Sequence, residues 1–225
     1  MSEEKEYIVK IIDITQITHN VIRYQFEKPE GFKFTPGQAN EVSINNEKWK
    51  NERRPFTFTC LNDKDHLEFT IKIYSDHDGM TNSLGKLIVG DEIIIREPWG
   101  TIHYEGKGVF IAGGAGITPF IAILRQLKKD SKTEGNTLIF ANKTEADIII
   151  KDELKDILGN NCIFILSQEK KDGYDHGRID ESYLKSKIND FNQNFYICGP
   201  PPMVLSLQKI LPKLGAKIDN IVFER

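Results

Sequence analysis

The spacing of apolar residues changes once along this 225-residue chain, at Gly108, and that change limits the fold more than any other feature. Before it, residues 6–17, 21–26, 39–44, 54–59, 66–74 and 91–96 are short runs rich in β-branched and aromatic residues. Leu67, Phe69, Ile71 and Ile73 alternate with Glu68, Thr70, Lys72 and Tyr74, the pattern of a strand with one buried face. Gly and Pro punctuate the gaps at Pro29, Gly31, Pro36-Gly37, Gly79 and Gly90. Six strands with one short helix at 81–87 predict a six-stranded antiparallel β-barrel. After Gly108, apolar runs at 109–112, 137–141, 163–166, 195–198 and 221–223 alternate with helical patterns at 117–129, 151–158, 180–187 and 203–214. Strands separated by helices require crossover connections. They predict an α/β domain with a five-stranded parallel sheet covered on both faces. The expected domains are 1–104 and 105–225.

Composition narrows the function. Charged residues make up 28% and the net charge is −3, with no lysine- or arginine-rich block, which argues against nucleic acid as a partner. The charged start Met1-Ser2-Glu3-Glu4-Lys5-Glu6 has no apolar signal core, and no run reaches the ~20 residues of a membrane span. A cytoplasmic location is the expectation. Cys60, Cys162 and Cys198 have neither zinc nor iron–sulfur spacing and read as reduced thiols; no metal site is expected.

The turn Gly113-Gly114-Ala115-Gly116 follows a buried strand and opens a helix whose face carries Ile117, Ile121, Leu124 and Leu127. Such a turn exposes the first N–H groups of the helix at the carboxyl edge of the sheet, where a phosphate can approach closely. It serves equally as a tight turn packed on its own protein. There is no G-x-x-x-x-G-K-[ST] loop. The usual Rossmann fingerprint also fails: Pro119 occupies the third glycine position, and Asn142-Lys143, not an acid, ends the next strand. In the first half, "RRPFTFT" (53–59) sets a guanidinium (Arg54), an aromatic plane (Phe56) and a hydroxyl (Thr57) on one short strand. Read plainly it is an amphipathic strand with solvated charges. The same set suits an anion and a planar ring.

"RPFT" resembles the R-x-Y-[ST] flavin motif of the ferredoxin–NADP reductase family. "FTPGQ" (34–38), "IKIY" (71–74), "GMTNSL" (79–84), "GGAGITP" (113–119) and "CGPPPM" (198–203) resemble that family's remaining motifs, in the family's order along nearly the whole chain. The resemblance implies FAD in the barrel and NADH or NADPH in the second domain, with the nicotinamide against the flavin in the cleft between them. It implies that Arg54, beside Pro55, pairs with FAD phosphates. Phe56 stacks without the usual tyrosine hydroxyl, and Thr57 hydrogen-bonds near flavin N5. Ile71, Lys72, Ile73 and Tyr74 pass along the flavin, and Gly79, Met80 and Thr81 hold its pyrophosphate. Gly114 and Gly116 take the nicotinamide nucleotide's phosphates, and Thr118 reaches the isoalloxazine. Asn142 and Lys143 lie near the adenosine ribose. Cys198, Gly199 and Pro200 line the nicotinamide. Thr57, Cys198 and Glu224 are the expected catalytic residues. Many relatives end E-x-[FWY], whereas this sequence ends Phe223-Glu224-Arg225, so that aromatic position is not filled. The implied activity is hydride transfer from NAD(P)H to FAD and onward electron transfer to flavodoxin or ferredoxin. An electron-transfer subunit of a larger complex and a flavin-less nucleotide-binding module are the alternatives.

Overall fold

A computed structural model of the chain describes residues 5–100 and 102–223. These form two compact units, Met1–Gly100 and Thr101–Arg225.

The first unit contains strands β1 (Tyr7–Thr18), β2 (Val21–Glu27), β3 (Ala39–Ile44), β4 (Arg54–Thr57), β5 (His66–Lys72), helix α1 (Met80–Leu84) and β6 (Glu92–Ile95). Its sheet runs β4-β3-β6-β1-β2-β5, and every pairing is antiparallel. The barrel closes just past β4. Phe58 forms a bridge with Phe69 of β5, and the Thr59 N–H donates to the Glu68 carbonyl at 2.9 Å. Inward side chains of β1, β2, β3, β5 and β6, among them Val9, Tyr24, Phe26, Val42, Phe69 and Ile93, fill the core with Phe58. Phe34, Phe58 and Phe69 stack in sequence, with centroids 4.3 and 4.9 Å apart.

The outer face of β5 departs from the expected alternation. Glu68 and Thr70 are buried as well. The Glu68 carboxylate accepts from the Thr59 hydroxyl at 2.7 Å and lies 3.8 Å from Arg23 Nε. A charge is tolerated there because it is paired. A second buried cation, Arg96, holds β6 to β3 and the amino-terminal segment. Its guanidinium meets Glu6 at 2.7 Å, the Glu41 carbonyl at 3.1 Å and Ser43 Oγ at 3.1 Å.

The second unit contains β7 (Gly108–Gly113), α2 (Thr118–Lys129), β8 (Thr137–Asn142), α3 (Lys151–Leu158), β9 (Cys162–Leu166), β10 (Asp175–His176), α4 (Glu181–Lys187), β11 (Asn194–Cys198), α5 (Pro201–Lys213) and β12 (Ile221–Phe223). The sheet is parallel throughout, in the order β10-β9-β8-β7-β11-β12. It has six strands where the sequence suggests five. The extra one, β10, is two residues long and carries no apolar run to announce it. Val109, Ile111, Ile139 and Ile197 pack on one face with Leu184 of α4 and Leu207 and Leu211 of α5. The opposite face carries Phe110, whose ring meets Phe120 of α2 edge-on at 5.2 Å. Tyr104 joins this unit: its ring stacks 6.4 Å from Phe110 and 6.0 Å from Tyr196. The strand order reverses direction between β7 and β11, the point where open parallel sheets bind ligands beyond their carboxyl ends.

The short α1 is tied to the barrel by the buried Tyr24 hydroxyl, which donates to the Leu84 carbonyl at 2.8 Å. Burial pushes this phenol up to about 12. Tyr24→Phe removes one of two bonds to that carbonyl, which also accepts from the Leu87 N–H at 3.0 Å, and is expected to cost about 0.5–1.5 kcal/mol. The check is a thermal midpoint about 2–6 °C lower by circular dichroism.

Candidate active site

Two groups of residues carry chemistry, one in each unit. In the barrel, β3 and β4 pair in register, so that Ala39 faces Thr57, Asn40 faces Phe56 and Val42 faces Arg54. Arg53 and Arg54 differ in commitment. Arg53 binds the Glu41 carboxylate at 3.0 Å, with Glu6 at 3.7 Å. Arg54 is half exposed and makes a 2.7 Å bond to the Arg53 carbonyl and a long 3.5 Å contact to Glu52, both through one terminal nitrogen. Most of its fork remains available to an anion. Phe56 is half-buried against the barrel core, its ring 6.3 Å from Phe69. Thr57 is buried, and its hydroxyl has no partner among the described residues. Pro55 is exposed on the same strand.

Of the next expected segment, Ile71 and Lys72 belong to β5, Ile73 continues it by donating its N–H to the Asn20 carbonyl at 2.8 Å, and Tyr74 is exposed. Helix α1 starts one residue earlier than expected and ends three residues sooner, with Gly79 at its N-cap position. Thr81 therefore lies inside the helix and does not cap it. Met80 is buried in the barrel core.

In the second unit the glycines divide between two tasks. A Cβ on Gly116 would meet the Cys198 carbonyl oxygen at 2.3 Å, and one on Gly113 would meet Pro200 Cδ at 2.8 Å and Met203 Sδ at 2.9 Å. These two exist for close packing of the chain on itself. Gly114 has a φ of +53°, and a Cβ there would meet nothing within 4 Å. Within this turn it is the glycine whose backbone is left uncovered by the protein. A single 3-10 turn, Gly114–Ile117, leads straight into α2, so its first N–H groups point out of the sheet edge. Thr118 donates its hydroxyl to the Ala115 carbonyl at 3.0 Å and so stiffens this turn.

The start of α5 behaves differently. Pro201 and Pro202 carry no N–H, and the N–H groups of Met203 and Val204 both go to the Pro200 carbonyl, at 2.9 and 3.2 Å. This end offers no donors to a phosphate and suits a neutral ring. Cys198, the last residue of β11, is buried and adjoins an apolar crevice of about 410 Å³ that Val204, Leu205 and Phe223 also line. Glu224 lies outside the described residues.

The last residue of β8 is anomalous. Asn142 is 7% exposed, and neither its amide nitrogen nor its amide oxygen has a hydrogen-bond partner. Buried amides are nearly always satisfied. Beyond it, Thr144 and Asp147 form a reciprocal capping box, and Glu145 accepts from Lys151 at 2.8 Å and from Lys171 and Tyr174. These three donors pull the Glu145 carboxyl down to about 2. This cluster is not legible in the sequence, because Lys171 and Tyr174 are 26 and 29 residues away. The T-x-x-D spacing at 144–147 was its only local sign.

Two family models match: an oxidoreductase FAD-binding domain over residues 8–104 and an oxidoreductase NAD-binding domain over residues 110–209. The chain belongs to the ferredoxin reductase-like family. It is an FAD-dependent NAD(P)H oxidoreductase of the electron-transferring kind. NADH-cytochrome b5 reductase 1 of Rattus norvegicus is 27% identical, over 94% of this chain and 83% of that protein. A ferredoxin NADP+ reductase from Neisseria gonorrhoeae with bound FAD and NADP shares the fold, with a TM-score of 0.85 at 22% identity over 99% of both chains. The FAD/NAD-binding domain of nitric oxide dioxygenase from Vibrio cholerae has a TM-score of 0.86 at 21% identity, covering 96% of this chain and 97% of that one.

The residues present fit both cofactors. The unpartnered Thr57 hydroxyl and the largely uncommitted Arg54 suit FAD. The open face of Gly114 and the orphaned Asn142 amide suit a dinucleotide. No helix among the described residues is long and apolar enough to cross a membrane.

Gly116→Ala drives a methyl group into backbone and is expected to destabilise by about 2–3 kcal/mol. Gly114→Ala meets open space, costs about 1–2 kcal/mol of backbone strain, and should weaken nucleotide binding. Melting curves and 5′-AMP titrations of the two variants separate these effects. Glu145 supplies a pH-dependent term. Its folded pKa is depressed from 4.5 to about 2, so its contribution is full above 4.5 and lost as pH falls toward 2. Wild type and Glu145→Gln should therefore differ in melting temperature above pH 4.5 and converge near pH 2.

Proposed function

We propose that this chain is a self-contained reductase that takes hydride from NADH or NADPH and passes electrons to a small one-electron redox protein. One observation carries the reading. A single chain presents both an anion-and-ring strand, Arg54-Pro55-Phe56-Thr57, and a glycine turn with one open backbone position, Gly114. Bound FAD would supply the conversion of a two-electron hydride into single electrons.

The chain's own residues supply grip and orientation. Arg54 neutralises FAD phosphate, and the segment 79–81 at the start of α1 lies at the pyrophosphate. Phe56, anchored against Phe69, offers ring surface, with Ile71 to Tyr74 giving mostly backbone contacts. The Thr57 hydroxyl, free of protein partners, holds a hydrogen bond for flavin N5. On the nucleotide side, the turn from Gly114 to Gly116 receives the pyrophosphate at the start of α2. Pro200 and Cys198 present a surface without charged groups to the nicotinamide. Glu224 is the candidate for handling a proton.

Flavodoxin or ferredoxin is the acceptor that the sequence resemblance implies. A second reading, a cytochrome b5-type haem protein, is favoured by the names of the curated relatives. Anaerobic titration of the FAD-loaded protein with NADH and, separately, NADPH should bleach the flavin absorbance. The reduced protein is then mixed with flavodoxin, ferredoxin and cytochrome b5 in turn. Absence of bleaching with either nucleotide overturns the reductase reading. Thr57→Ala should lower the rate of bleaching by about 10–100-fold, through loss of one positioned hydrogen bond.

A further inference from the structure

Four buried polar side chains form one block on the outer wall of the barrel, across the seam where it closes. Phe56 and Phe58 turn to the core, as do Leu67, Phe69 and Ile71. Alternation therefore turns Thr57, Thr59, Glu68 and Thr70 the other way. All four are buried. The Phe58–Phe69 bridge sets Thr57 across from Thr70 and Thr59 across from Glu68. Opposite Cβ atoms in such a pairing lie about 4.5–5.5 Å apart.

The hydrogen bonds of this block have a direction. A threonine hydroxyl has one proton to give and two positions that accept. The Thr59 hydroxyl donates to Glu68 Oε1 at 2.7 Å, with the Glu68 carbonyl a longer alternative at 3.4 Å. A carboxylate only accepts, so the Thr59 proton is committed. The 3.3 Å contact between the Thr59 and Thr70 hydroxyls is then a donation from Thr70. Thr70 keeps lone pairs to offer, and the hydroxyl across from it is that of Thr57, which has no partner among the described residues. Arg23 anchors the other end of the row. Its Nε lies 3.8 Å from Glu68 Oε2, and a terminal nitrogen donates to Thr15 at 3.2 Å, which in turn donates to Asp13 at 2.8 Å.

We propose that Glu68 is a positioning residue for the flavin: through Thr59 and Thr70 it draws the Thr57 proton toward Thr70 and leaves the Thr57 oxygen as an acceptor at flavin N5. That acceptor suits the N–H that N5 carries when the flavin is reduced. It has no proton to offer the bare nitrogen of the oxidised form. Glu68 thereby biases bound FAD toward reduction. The proposal rests on the placement of Thr57 at N5 under Proposed function and adds the group that decides whether Thr57 donates or accepts there.

The test is the midpoint potential of the full chain loaded with FAD, read by anaerobic reduction beside an indicator dye. In Glu68→Gln, Arg23 draws the amide oxygen to its side and the NH2 faces Thr59. The row then reverses, and Thr57 donates to oxidised N5. The affinity for reduced over oxidised FAD should fall about tenfold, which is about 30 mV downward for a two-electron couple. Loss of the carboxylate charge acting through space would move the potential upward instead. Thr59→Val leaves Glu68 paired with Arg23 but breaks the row, and should lower the same ratio about threefold. In a Thr57→Ala background, Glu68→Gln should shift nothing further. A potential that rises or stays put in Glu68→Gln overturns the proposal, and so does a shift that persists without Thr57. Should Glu68→Gln fail to fold by circular dichroism, an unchanged potential in Thr59→Val overturns it. If Thr57→Ala itself leaves the potential at the wild-type value, the proposal falls together with the placement of Thr57 at N5.

Discussion

Everything in the second unit depends on how closely two loops approach at the carboxyl end of its central strands. The turn after β7 and the loop after β11 touch through backbone, with Gly116 against the Cys198 carbonyl and a Cβ on Gly199 meeting the Gly113 backbone nitrogen at 3.0 Å. A methyl group at Gly113, Gly116 or Gly199 has no room. That contact lies at the point where the sheet order reverses, and it fixes where α2 and α5 begin. The two helix starts then differ in character. One exposes N–H groups, and the other has lost two to Pro201 and Pro202 and turned the next two inward. The first end is suited to an anion and the second to an uncharged group, without any charged side chain at either.

Much of this was legible in the sequence, for reasons that can be named. The change at Gly108 separated an antiparallel from a parallel architecture, because periodicity reports which faces are buried. The motif order identified the family, which the matched FAD- and NAD-binding domain models show independently. β10 escaped notice because two residues carry no period. Burial of Glu68 and Thr70 was not visible either. A polar residue pairs with its neighbours only once the barrel has closed, and Arg23 comes from β2 and Thr59 from just past β4.

The site was legible in outline but not in detail. "GGAG" announced a turn, yet the sequence cannot say which glycine faces a ligand and which faces the protein. Only the distances divide Gly114 from Gly116. Arg53 and Arg54 read alike as neighbours. The structure separates them because the Glu41 side chain, opposite Pro55 in the register, binds Arg53 and not Arg54. The unsatisfied state of Asn142 is likewise a fact of three-dimensional packing. An asparagine at a strand end is ordinary until its surroundings are counted.

The barrel's closure has a further implication. β4 is four residues long, and its side toward β5 is joined by the Phe58–Phe69 bridge and the Thr59–Glu68 bond. Most of the remaining seams carry longer ladders, such as the seven-residue match between β2 and β5, and even β3 and β6 match over two residues. The wall bearing Arg54, Phe56 and Thr57 is therefore the least tightly laced part of the cylinder. Local opening in a closed sheet begins where hydrogen bonds are fewest. The strand that presents these side chains is the one most able to breathe, and a rigid planar guest lying along it would act as the missing lacing.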